Sequence, residues 1–408
     1  MKTRFITLFI MLVIFFKLSA QTEGPIPGQY IVLLKETAAT PVALQETVTE
    51  DRESAYLQNN LKRQQNLQLL ANLRTAAGIA PSKVLADFAD VVVGFSATLS
   101  PQEVTQLSAN PLVEGVYQDY IVNGNPAQDE GLPGEFLPEG QTTPCAINNA
   151  GGFTDGSSKK NWIWILDTGI DTDHPDLNVH AVTPYAKSFV PGQSVEDANG
   201  HGTHVAGIAA AKNNNIGIVG VSAGAKVVPV KVIPNSGAGG SMTYIVQGLN
   251  HVASYDKSND VVNLSVGAFP IANCENANIP LRNAVKNLGA SGTWVCIASG
   301  NNANNAAQCS PGCINGTKVY TVGAMTCNKT CYNGPNWSTA VVDWVATGFG
   351  VYSTYKNGGY STLTGTSQAT PVVAGIIHAR GGAPVGTTTI TCGNNVIPPA
   401  AYKIARRI

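Results

Sequence analysis

Trp162-Ile163-Trp164-Ile165-Leu166-Asp167-Thr168-Gly169 is an apolar run that ends on a carboxylate and a turn. A short apolar stretch bounded by a turn signal is the pattern of a strand buried on both faces. Similar runs recur at Lys226–Val232, Val261–Val266, Thr293–Ala298 and Lys318–Val322. Helical patterns fall between them, at His201–Lys212, Thr243–Ser254 and Ile279–Leu288. Buried strands alternating with helices predict an α/β fold, a mostly parallel sheet covered on both faces. Functional groups in such sheets gather beyond the carboxyl ends of strands, where Asp167 stands.

Working outward, the 408 residues divide into unlike zones. Residues 1–20 read as a secretory signal peptide: Lys2 and Arg4, an apolar stretch from Phe5 to Phe16, then Leu18-Ser19-Ala20 as a small-residue cleavage site. That stretch is shorter than the roughly 20 residues needed to span a bilayer, so the expectation is a secreted, extracellular protein without a membrane anchor. Residues 21–124 read as a small α+β unit, with a strand at Gln29–Lys35, helix-forming composition over Thr47–Ala77 and a strand at Val113–Val122. A short helix opens at Ser100-Pro101-Gln102-Glu103. Residues 125–140 hold Pro126, Pro133, Pro138, glycines and acidic residues, and read as an exposed, cleavable linker. Residues 141–408 form the large domain.

Net charge is −1, with 12% charged residues. This balance gives no reason to expect nucleic acid or an anionic membrane as partner. All eight cysteines lie from Cys145 onward. An even count in an exported chain favours disulfides, but eight allow 105 connectivities. The spacings Cys309/Cys313 and Cys327/Cys331 also fit a metal site, less well, because no histidine lies close by. Cys296, inside an apolar run, reads equally as a buried thiol.

Two further segments carry chemistry. In Asn199-Gly200-His201-Gly202-Thr203-His204-Val205-Ala206-Gly207 a histidine opens a helix of small residues. His204 shares its face and could be a second metal ligand, but lacks a nearby third; a packed, hydrogen-bonded histidine is the better reading. In Gly365-Thr366-Ser367-Gln368-Ala369-Thr370-Pro371 a serine begins a helix after a glycine turn. Alone it reads as a cap, and Asp167 alone is an ordinary strand-end aspartate. Together they supply a nucleophile, a base and an orienting carboxylate.

In the chain order Asp, His, Ser, the three segments resemble the subtilisin family of serine peptidases, of the proteinase K and subtilisin kind. The resemblance covers 141–408. It implies a subtilisin-like three-layer fold and a secreted endopeptidase of broad, apolar-leaning specificity, made as an autoprocessed zymogen. Asp167, His201 and Ser367 would form the triad, and Asn301, in Ala298-Ser299-Gly300-Asn301, would supply the oxyanion donor. Peptide substrates would add as a strand between Gly239-Gly240 and Ser265-Val266-Gly267, with Met242, Ile245 and Val266 lining an apolar pocket four residues before the cut. A structural calcium ion would take Gln141, Asp176 and Asn214, with carbonyls of Lys212, Ile216 and Ile218. The zone 21–124 resembles the family's inhibitory, ferredoxin-like propeptide, through Tyr30–Lys35, Val93–Ala97 and Val113–Val122. Cleavage is expected between about 122 and 140, and the product is expected to be a monomer whose first partner is its own propeptide.

The chain departs from the family in places. Gln368 stands where methionine is usual, Val372 where histidine often follows the proline, and Cys145-Ala146 where an aromatic-glycine pair is common. Beyond Arg380 the family's helical ending is missing; Thr387–Thr391 and Tyr402–Ala405 read as strands, with Cys392 placed to anchor the tail. Two rival readings are a catalytically silent binding module on the same fold and a narrow processing protease of the kexin kind. The full catalytic set argues against the first. The lack of acidic residues near Val266 and Asn301-Asn302 argues against the second. Asn315, Asn328 and Asn336 lie in glycosylation sequons.

Overall fold

A computed structural model describes residues 24–42, 51–124, 128–129 and 140–408. The expected leader, and all of the linker but 128–129 and Gly140, lie outside the described residues. Among the described residues no helix is long and apolar enough to cross a membrane.

The first unit runs β1 (Pro25–Leu34), α1 (Arg52–Ala76), β2 (Val84–Phe88), β3 (Gly94–Thr98), α2 (Pro101–Ser108) and β4 (Val113–Gly124). Its strands pair antiparallel in the order β4-β1-β3-β2, the βαββαβ arrangement of ferredoxin-like folds. Local chemistry sets the helix starts. Asp51 accepts from the Ser54 amide at 2.8 Å. Ser100 and Glu103 form a reciprocal capping box ahead of α2. Leu70 and Leu73 of α1 bury against Val32, Phe95 and Ala97 of the sheet, whereas Leu57 and Leu61 stay exposed. Apolar spacing marked the helix correctly but did not reveal which leucines face inward.

The large unit is built on a parallel sheet. Its strands are β5 (Ile163–Asp167), β6 (Lys226–Lys231), β7 (Val261–Leu264), β8 (Trp294–Ala298), β9 (Val319–Met325) and β10 (Val342–Thr347), in the order β10-β9-β8-β7-β5-β6. Every pairing among these six is parallel. The chain leaves β5 for β6 on one side and returns to β7 on the other, so the strand order reverses beside β5, where α/β sheets open a crevice.

Period-two alternation feeds two faces. Trp164 and Leu166 pack with helices α4 (Met242–Tyr255) and α5 (Ile279–Ala290). Ile163 and Ile165 pack with α3 (His201–Ala210). Helix α6 (Thr366–Arg380) buries Val372, Val373 and Ile376 beside α3's Ile208. A fully buried helix of this kind reflects a layer inside the molecule. The first unit's Ile31, Leu33 and Phe88 join the core around α4 and α5, so the two units share one apolar interface.

Cysteine chemistry resolves as disulfides: Cys145–Cys327, Cys274–Cys313 and Cys331–Cys392. The metal reading of the Cys309/Cys313 and Cys327/Cys331 spacings is thereby overturned, because Cys313, Cys327 and Cys331 each bond to a distant partner. Cys296 is a buried thiol. The C-terminal strands form a hairpin, Thr389–Cys392 against Ala400–Lys403, bolted to the body by Cys331–Cys392. Just beyond it, Ile404 bridges Val345 in parallel, and the Ala405 amide donates to the Val345 carbonyl at 2.9 Å. Replacing Cys331 and Cys392 together by serine is expected to lower stability by about 2–4 kcal/mol, from the restored freedom of the loop they close, read as a fall in the denaturant midpoint.

Candidate active site

Asp167 ends β5 with no exposed surface. Its Oδ1 lies 2.7 Å from His201 Nδ1 and accepts the Thr168 amide at 2.7 Å. His201 is the first residue of α3 and is itself buried. Helix α3 can approach β5 so closely because Gly202 has no side chain: a Cβ there would stand 2.0 Å from the Gly169 carbonyl oxygen. The other imidazole nitrogen, Nε2, is buried and has no hydrogen-bond partner among the described residues. Burial opposes the charged imidazolium. The Asp167 charge, its hydrogen bond and the Asp197 charge outweigh burial and hold the His201 pKa above its ordinary value.

Ser367 lies in the first turn of α6 and is buried. Its Oγ donates to the Ser265 carbonyl at 3.3 Å rather than to His201 Nε2. Ser265 Oγ in turn donates to the Ser367 carbonyl at 3.0 Å and accepts from Asn263 Nδ2 at 3.0 Å. Asn301 is oriented by α6: its Oδ1 accepts from the Thr366 amide at 2.8 Å and from Thr366 Oγ1 at 3.0 Å. That leaves Asn301 Nδ2 buried without a partner among the described residues. His204 is a packed residue, as expected. Its Nε2 faces the Val351 and Ser361 carbonyls at 3.1 Å each, and burial, with the His201 charge, pushes its pKa down to about 3.

The two expected substrate edges are occupied by the chain's own β4. Gly240 and Ser241 pair antiparallel with Val122 and Ile121, and Val266 and Gly267 with Gly124 and Asn123. The Gly239 amide also donates to Asn123 Oδ1 at 2.9 Å. A Cβ on Gly240 would stand 2.9 Å from the Val122 carbonyl oxygen, so glycine is needed for this approach. Val122, Met242, Ile245 and Val266 are all buried in one apolar cluster. Beyond Gly124, the backbone of Gln128 and Asp129 pairs with Thr364 and Leu363, in the strand that leads to Ser367.

Five of the six expected calcium ligands converge. Gln141 Nε2 faces the Lys212 carbonyl at 2.7 Å, the Ile218 carbonyl at 3.1 Å and Asn214 Oδ1 at 3.3 Å. Asn214 Nδ2 donates to Asp176 Oδ1 at 2.9 Å. Asp176 Oδ2 accepts from the Ile218 amide and the Tyr360 hydroxyl. Burial pushes the Asp176 pKa up to about 6 against these hydrogen bonds. Ile216 joins the same turn through its amide, which donates to Asn214 Oδ1 at 2.9 Å. Among the described residues no three His, Cys, Asp or Glu side chains gather as a metal site; this cluster has a single carboxylate.

Supporting residues escaped the sequence reading. Asp197 Oδ1 accepts from Thr168 Oγ1 at 2.8 Å and the Gly200 amide at 2.8 Å, and Oδ2 from Thr203 Oγ1 at 2.7 Å. It thus ties the end of β5 to the start of α3; its position just before the Gly200-His201-Gly202 turn was the available signal. Asn336 looked like a glycosylation acceptor. It is fully buried, and its Oδ1 takes the Asn302 and Asn304 amides at 3.0 Å each, which shapes the loop that carries Asn301.

The Subtilase family model matches residues 158–379, and the Peptidase inhibitor I9 model matches residues 29–123. The chain is 36% identical over 298 residues to M-protease of Shouchella clausii, covering 72% of this chain and 70% of that protein. It is 41% identical over 233 residues to Subtilisin Savinase of Lederbergia lenta, covering 57% and 78%. It is 32% identical over 312 residues to Alkaline serine protease ver112 of Corniculantispora psalliotae, covering 75% and 76%.

The Asp167–His201 contact predicts a titration. In an uncleaved Ser367→Ala chain, NMR of the His201 ring should show a midpoint above the usual value near 6.5. Adding Asp167→Asn removes the larger opposing charge, leaves only Asp197 against burial, and should bring the midpoint below it.

Proposed function

The chain belongs to the subtilase family and is a serine endopeptidase with an inhibitor-type propeptide; we propose that Asp167, His201, Ser367 and Asn301 carry its reaction. Ser367 Oγ attacks the scissile carbonyl carbon and gives its proton to His201 Nε2. Asp167 holds the Nδ1–H and stabilises the imidazolium that forms. The oxyanion is met by Asn301 Nδ2 and the Ser367 amide. The amide lies in the first turn of α6, where backbone N–H groups lack helical acceptors. His201 then protonates the leaving amine, the bond to it breaks, and Ser367 is left acylated. Water repeats the steps and releases the acid. The unpartnered Asn301 Nδ2, aimed by the Thr366 contacts, and the unpartnered His201 Nε2 support these roles.

One observation carries the reading furthest: residues 121–124 lie between the two edges as an added strand. We read this as the propeptide, 21–124, blocking the cleft in the manner of a substrate, before or after the chain cuts itself. The cut then falls between Gly124, paired with Val266, and Gln128, paired with Thr364 in the strand before Ser367. Val122 in the cluster of Met242, Ile245 and Val266 supports a preference for an apolar residue at that position, within otherwise broad specificity given by backbone pairing. The apolar leader supports secretion.

The calcium reading rests on the donor set. With the Gln141 carboxamide turned end for end, its oxygen would face the Lys212 and Ile218 carbonyls, Asn214 Oδ1 and the nearby Asp176 carboxylate. Oxygen-only, mostly neutral surroundings suit a hard divalent cation. Calcium bound there would stabilise the fold by tying residue 141 to the loop at 212–218, and would take no part in the cleavage step.

Three arms of one experiment test the catalytic reading. The expressed wild-type chain should be recovered with an N-terminus between 125 and 128, and should react with a serine-directed phosphonate. Ser367→Ala should stay full length and unlabelled. Asn301→Ala should process slowly, with kcat lowered by about 10²–10³. A full-length Ser367→Ala chain that processes normally would sink the assignment. For the ion, chelation should lower the melting temperature of the wild-type protein, and Asp176→Asn should abolish that response.

A further inference from the structure

Arg52 opens α1 of the propeptide unit, yet its side chain is held by the catalytic unit. Its guanidinium forks onto both oxygens of Asp260, at 2.6 and 2.9 Å. Nη1 also donates to the Tyr255 carbonyl at 2.9 Å, and Nη2 to the Lys160 carbonyl at 3.2 Å. The guanidinium carbon stands 3.7 Å from the centroid of the Trp162 ring. The Asp260 side chain has no exposed surface, and that of Arg52 is 5% exposed. A two-pronged carboxylate, two carbonyls and an aromatic face complement a planar guanidinium and not a compact ammonium.

The receiving half is assembled without Arg52. Asp260 accepts from the Trp162 amide at 3.0 Å, Trp164 Nε1 at 2.8 Å, the Lys257 amide at 3.2 Å and Asn161 Nδ2 at 3.3 Å. All four donors belong to the catalytic unit, so the carboxylate stays fixed when the propeptide leaves. Asp260 also stands at the far end of β7 from the chemistry. Ser265 lies five positions further along the chain, about 16 Å at ~3.3 Å per residue. The pocket is therefore distinct from the cleft. Nearby, burial, opposed by the Thr293 hydrogen bond, with the Asp260 charge raising and Arg52 lowering, pushes the Asp256 carboxyl up to about 7.

We propose that Asp260, Trp162 and the Lys160 and Tyr255 carbonyls form a guanidinium-binding exosite. Arg52 fills it in the precursor as a second anchor for the propeptide, and removal of the propeptide leaves it open to arginine side chains of other chains. The second half rests on residues 21–124 being a removable propeptide; the first does not.

The test uses the full-length Ser367→Ala chain, which needs no processing. Adding Arg52→Ala should lower its melting temperature by about 3 °C or more. Millimolar ethylguanidinium should restore most of that loss and ethylammonium should not; Arg52→Lys should melt near Arg52→Ala. Equal melting of the parent and Arg52→Ala, a loss that ethylguanidinium fails to repair, or equal repair by ethylammonium overturns the exosite. On wild-type enzyme freed of its propeptide, ethylguanidinium should saturably change tryptophan emission while leaving hydrolysis of an uncharged peptide within twofold. No change in emission would overturn the claim that the pocket outlives the propeptide. Failure of the processing reading is seen separately, as wild-type chain that stays full length.

Discussion

A carboxylate without exposed surface sits at the end of β5, an inner strand of the sheet. Burying Asp167 is costly unless its charge is met, and everything around it is arranged to meet it. The Thr168 amide turns back onto it, and His201 presents Nδ1. Lys231, its neighbour across β5 and β6, is itself buried and holds the Thr168 carbonyl through Nζ. Gly202 lets α3 come close enough for these contacts to exist. Asp197 then locks the turn before α3 to the strand end. The sheet crossover, the histidine helix and the connecting loop thus meet at a single buried charge. The raised basicity of His201 is the same fact seen from its partner.

The second organising element is backbone, not charge. The cleft consists of two short edges whose N–H and C=O groups need a strand between them. In this chain β4 supplies it, pairing with both edges. The propeptide's sheet packs with α4, which follows the Gly240 edge, and with α5, in one apolar core. Asp119 in β4 accepts from Ser241 and Thr243 hydroxyls at 2.7 Å each, at the start of α4. Helix amides and an acidic side chain attract there for the usual dipolar reason. The inhibitor thereby caps a helix of the enzyme it blocks.

Much of this was legible in the sequence, for a physical reason. Asp167, His201, Ser367 and Asn301 stand at strand ends and helix starts, where turn chemistry leaves local signatures. The edges at 239–240 and 265–267 and the Asn-rich loop at 213–215 are local in the same way, as were the strands, which are apolar because both faces are buried. What could not be read depends on distant pairing. Cys145 meets Cys327 across 182 residues, and composition holds no trace of that choice. Arg52 and Asp260 look like ordinary surface charges until α1 is laid across the base of the sheet. Asn336 sits in a sequon, but its carboxamide serves the Asn301 loop, and only burial distinguishes the two uses.

The hairpin at the C-terminus has a meaning beyond anchoring the tail. A sheet built for parallel strands ends in an open edge at β10, with amide and carbonyl groups ready to recruit another chain. Ile404 and Ala405 lie along that edge and take up the Val345 carbonyl, and the Cys331–Cys392 bridge keeps them there. A molecule that works by inviting foreign strands must control where the invitation is made. With residues 404–405 laid along this rim, fewer open backbone groups are offered there to the extended, half-digested polypeptides that a peptidase generates.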